Sequence, residues 1–173
     1  MENLEVFIIN LLSSKTRVFE EAFSKILEKK SLSAMAVYII GGKAYWSENL
    51  PKEAIFSYIK SLEIALLFFK PSHTQIKTIL DCINSVSFEN VDLQICDEFL
   101  QYSNSYILKE KSHFLKVPIS LACIQASVRL NHFLDAIRYV FQALMFQLEG
   151  EKSDESLLIL IINQLDSLNP KPE

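Results

Sequence analysis

Glycine is almost missing from this chain. Gly41, Gly42 and Gly150 are the only three in 173 residues, and there are five prolines. Folds made of many tight turns draw heavily on both residues, so their scarcity argues against a β-rich architecture. It also removes the loops that cradle phosphate. A P-loop requires glycine five residues before Gly42-Lys43, where Val37 stands, and no GxGxxG occurs. Arginine is as rare, with Arg17, Arg129 and Arg138 alone, and the net charge is −4. The lysines at 109, 111 and 116 are interrupted by Glu110 and make a solvated loop rather than a basic face, so nucleic acid is not an expected partner. Cys82, Cys96 and Cys123 are far apart and none belongs to a CxxC pair, which fits reduced thiols in an intracellular protein of the cytoplasm or nucleus. No apolar run approaches the ~20 residues that span a bilayer, and the N-terminus opens with Glu2 and Glu5 instead of the basic residues of a signal peptide, so no membrane insertion is expected.

What is there is helix. Half of the residues are hydrophobic, and the mean hydropathy is +0.19. Apolar positions recur at helical spacing, without sustained alternation. Helices are expected near 2–12, 15–29, 33–48, 51–69, 73–86, 90–109, 118–131, 133–149 and 154–168. Ser72 and Ser153 suit N-caps, Pro51 and Pro118 suit first turns, and Gly150 suits a C-cap. No linker divides 1–168, which therefore reads as one domain followed by a frayed tail at 169–173. Short connections make successive helices antiparallel neighbours.

Gly42 sits in the middle of an expected helix, where glycine costs about 1 kcal/mol relative to alanine. A close approach by a second helix explains such a residue. Gly42 and Ala54 are small enough to let the helices 33–48 and 51–69 meet, and Tyr45 and Tyr58 fill the space above and below. The series Tyr38, Gly42, Tyr45, Ala54, Tyr58 resembles the signature positions of a tetratricopeptide repeat over one unit of about 34 residues. A weaker second copy starts at Ala126, which aligns without gaps on Ala44, and its packing positions are Ala136, Val140 and Ala143. In that copy Ile124 replaces Gly42 and Ser127 replaces Tyr45. The resemblance implies an all-α fold of antiparallel hairpins stacked as a short right-handed solenoid of about eight or nine helices. It implies a role in binding proteins or peptides.

Two places carry more apolar surface than one neighbour can cover. In 51–69 the polar stripe of Glu53, Ser57 and Lys60 continues as Ile64, Leu67 and Phe68. In 154–168, Leu157, Leu158, Ile161, Ile162 and Leu165 lie on one broad arc. That arc serves either another subunit or a groove of the chain's own fold. Helix 133–149, by contrast, reads as an interior helix, with Phe133, Ile137, Val140, Phe141, Leu144 and Leu148 in the core.

Chemistry has little to stand on. Glu110 and His113 form one Glu-x-x-His, and a di-iron bundle needs two. The acid pairs 20–21, 97–98 and 154–155 are adjacent and diverge on a helix. No GxSxG elbow is present. The expected function is a non-catalytic scaffold or adaptor subunit without metal or cofactor, which binds another protein in a hetero-complex or a homodimer. A compact helical-bundle regulator and a helical enzyme are the alternatives.

Overall fold

The computed structural model describes residues 23–150 and 155–168. The helix expected at 2–12, most of that at 15–29, the Ser153 cap and the tail lie outside them. The fold is all-α. Seven helices follow a segment that ends one more at residue 27: α1 (Leu32–Ser47), α2 (Pro51–Phe68), α3 (Thr74–Asn84), α4 (Leu93–Lys109), α5 (His113–Arg129), α6 (Phe133–Glu149) and α7 (Glu155–Leu168). The chain divides between Val86 and Ser87 into two compact units, which are described separately.

In the first unit α2 packs on both α1 and α3. The Ser31 hydroxyl accepts from the Ala34 N–H and caps α1, and Pro51 opens α2 at a position that needs no donor. His73, not Ser72, caps α3, with its Nδ1 accepting from the Gln75 N–H at 3.1 Å. Ile76, Ile79, Leu80 and Ile83 of α3 are buried at the i, i+3, i+4, i+7 spacing of a one-sided helix.

In the second unit α5 is central and contacts α4, α6 and α7. It is buried nearly all round, from Phe114 to Ser127. The expected start at Pro118 is corrected by the structure. The helix begins at His113, capped by Ser112, and Pro118 lies buried in its sixth position. There the ring removes the bond that an N–H would give the Phe114 carbonyl, a cost of ~3 kcal/mol in an isolated helix. Packing on three neighbouring helices outweighs it. Asp92 likewise moves the start of α4 from 90 to Leu93 by accepting from the Gln94 N–H at 2.8 Å.

One turn geometry occurs once in each unit. Asn49 and Asn131 have φ of 59° and 60°, the left-handed region. After α1 the Leu50 N–H reaches the Tyr45 carbonyl and the Asn49 N–H reaches Trp46. After α5 the His132 N–H reaches Ser127 and the Asn131 N–H reaches Val128. Both are Schellman closures with asparagine in place of the usual glycine. Both are followed at once by the next helix.

Candidate functional site

The turns put the two weakly matching sequence segments into register. Position n of the α1–α2 hairpin corresponds to n+82 of the α5–α6 hairpin, the offset of the ungapped alignment. The buried residues of α6 named for it, Ala136, Tyr139, Val140, Ala143 and Gln147, all fall on buried residues of α2: Ala54, Ser57, Tyr58, Ser61 and Ala65. The close contact differs in chemistry. A Cβ on Gly42 would lie 2.7 Å from Tyr58 Cδ1 and 2.9 Å from Cζ, so the ring occupies the space that glycine leaves. In the second hairpin the equivalent pair is Ile124 and Val140, two mid-sized buried residues in place of one tiny and one large. Tyr45 is also buried and Tyr38 is half-buried.

The hairpins diverge on the outside of their second helices. Ile55 and Ile59 of α2 are fully covered. Their equivalents on α6, Ile137 and Phe141, are open. Leu134 (85% exposed), Ile137 (39%), Phe141 (59%), Met145 (51%) and Leu148 (71%) form one stripe, with Phe133 beside it. At ~100° per residue the stripe spans about 80° and lies well away from the face that meets α5. This corrects the interior reading of helix 133–149: of the six residues assigned to its core, only Val140 is buried. The sequence pattern is the same for an apolar face that meets a neighbour and one that does not.

Charge is confined to the stripe's edge. Arg138 Nη2 lies 3.2 Å from Asp135 Oδ1, and its guanidinium stands over the Tyr139 ring at 5.6 Å. The Tyr139 hydroxyl donates to Asn104 Oδ1 at 2.8 Å and ties α6 to α4. Burial pushes the Tyr139 phenol upward.

The other sequence candidates are scattered. Ile64 is buried and belongs to the core of the first unit, whereas Leu67 and Phe68 are exposed at the end of α2. On α7, Leu157 and Ile161 are fully buried and hold the helix to its unit. Ile162 is exposed with Ile159, and Leu158 is half-buried. The Leu165 side chain lies outside the described residues. The arc expected on α7 thus splits into a packed half and an open half.

A cavity of about 440 Å³ in the second unit is lined by Phe88, Ile124, Val128, Gln125, Arg129 and Gln164, among others. Its arginine is engaged structurally, with Nε donating to the Val91 carbonyl at 3.1 Å. Among the described residues no three His, Cys, Asp or Glu side chains gather as a metal site requires. Burial pushes the Cys123 thiol up to about 12 and raises Cys82 and Cys96 as well, the reverse of what a nucleophile needs. Among the described residues no helix is long and apolar enough to cross a membrane.

No protein-family model matches this chain, and no curated protein or solved structure is significantly similar to it.

Proposed function

We propose that this chain is a non-catalytic protein-interaction subunit, a divergent tetratricopeptide-like helical-repeat scaffold that binds its partner through the outer face of α6. The observation that carries the reading is the stripe Leu134, Ile137, Phe141, Met145 and Leu148, five large apolar side chains held open on a helix whose opposite face is packed. Contiguous apolar surface of this kind marks interaction sites. Repetition of one hairpin with one turn type supports the helical-repeat part of the proposal. The reading places the protein inside the cell, in the cytoplasm or nucleus, where its three free cysteines stay reduced.

The test is recovery of the tagged full chain from its native source, as wild type and as Phe141→Asp with Leu148→Asp. The proposal expects a stoichiometric assembly with the wild type that the double variant lacks, with helicity equal by circular dichroism. Identical assemblies, or none with either chain, would refute it.

A further inference from the structure

The α6 stripe has a symmetry that an arbitrary partner would not require. Its residues follow at intervals of three, four, four and three, from Leu134 through Ile137, Phe141 and Met145 to Leu148. The series reads the same in both directions, with leucine at each end and the only ring of the series at its centre. Phe141 is also the middle residue of the 17-residue helix. A homodimer with a two-fold axis must present one patch to itself, each residue meeting the residue related to it by the axis.

We infer that the occupant of this face is a second copy of the chain, with the two α6 helices antiparallel across a two-fold axis at Phe141. Leu134 then meets the copy's Leu148, Ile137 meets Met145, and Phe141 meets Phe141. The inference rests on the interaction reading above and narrows it to one partner.

Two further observations favour the copy. The first is area. The five side chains leave open the equivalent of about three large residues, or about 600 Å² per protomer at ~200 Å² each. With every one of the five fully covered, two protomers would bury at most about 1,200 Å², which reaches the lower edge of specific interfaces. The second is charge. On the stripe's charged side Asp135 and Arg138 already pair at 3.2 Å. Glu149 is the third charge there, and in this register it lies opposite the copy's Phe133 and far from the copy's own Glu149, so like charges are not brought together.

The experiment uses the full chain. Sedimentation equilibrium should give twice the 19.9 kDa mass. Phe141→Asp enters the interface twice and should weaken the dimer by about 100-fold or more, near tenfold per copy. Register is read by cysteine pairs in a Cys82→Ser background, where Cys96 and Cys123 are buried. Phe141→Cys should oxidise to a covalent dimer with itself. Leu134→Cys should link to Leu148→Cys in a mixed sample but not to itself. A chain that stays monomeric at about 100 μM, well above the micromolar end of interfaces of this kind, overturns the inference. Self-linking by Leu134→Cys overturns the antiparallel register. A monomer whose native assembly is still lost with Phe141→Asp and Leu148→Asp would sink the second-copy inference alone and leave the interaction reading standing.

Discussion

Gly42→Ala isolates the contact on which the first hairpin is built. On an exposed helix the change would gain about 1 kcal/mol of helix propensity. Here the new Cβ would meet the Tyr58 ring at 2.7 and 2.9 Å, distances that force a shift. The ring has little room to retreat, because Tyr58 is only 1% exposed, and Ala54, Ile55 and Leu62 on the same helix are fully buried. Overpacking of a closed site costs typically 1–3 kcal/mol, and this one lies at the upper end. Set against the propensity gain, the net loss should be about 2 kcal/mol. The assay is urea unfolding followed by fluorescence of the single tryptophan, Trp46 in α1, which reports on the first unit. Tyr58→Leu leaves a void and is itself destabilising. In the double variant the methyl group should fill part of that void, so the two losses combine to at least 1 kcal/mol less than their sum. A Gly42→Ala chain as stable as the wild type, or more so, would refute the close approach of α1 and α2.

Other consequences can be measured independently. Asn49→Val and Asn131→Val should each cost about 1–2 kcal/mol because a β-branched residue resists the left-handed region, whereas glycine at either position should be neutral or stabilising in the same unfolding assay. Ser127 buries a hydroxyl with no hydrogen-bond partner among the described residues, so Ser127→Ala should raise stability by about 1 kcal/mol. Ellman's reagent should modify half-buried Cys82 first and reach Cys96 and Cys123 only on unfolding. At Glu63 burial opposes the charge, but the Lys30 hydrogen bond at 2.6 Å and the nearby Lys60 outweigh it, and the carboxyl is held below its usual value. Its contribution is therefore present above pH 4.5 and lost as pH falls through the lower folded value. Glu63→Gln should flatten the acid limb of the stability curve there and lower the curve modestly near neutrality, where the carboxylate's contribution is otherwise present.

The helical class was legible because periodicity and the scarcity of glycine point the same way. Pro51 and Gly150 also marked boundaries correctly, since capping is local chemistry. Pro118 misled for the same reason. The local rule against proline inside a helix holds for an isolated segment, and the packing of α5 on three neighbours overrode it. Ser112 was the available signal for the true start. The pair of Schellman turns could have been suspected from Asn49 and Asn131 at matching positions of the two aligned segments, because asparagine is the residue that best replaces glycine there. The α6 face was not legible. Ile55 and Ile137 are the same residue at equivalent positions, one fully buried and one open. What separates them is the covering of the helix, and periodicity records an apolar face without recording its cover.

A photo-crosslinking residue at position 141 tests the central claim most directly, because it reports what touches the α6 face in the cell. In the full-length chain expressed in its native source, position 141 should give one discrete covalent adduct on irradiation. A control at Lys77, exposed on α3, should give none. An adduct of twice the chain's mass would identify the second copy, and any other single mass a different subunit. Irradiation that leaves position 141 without an adduct would contradict the account of this face as a partner site.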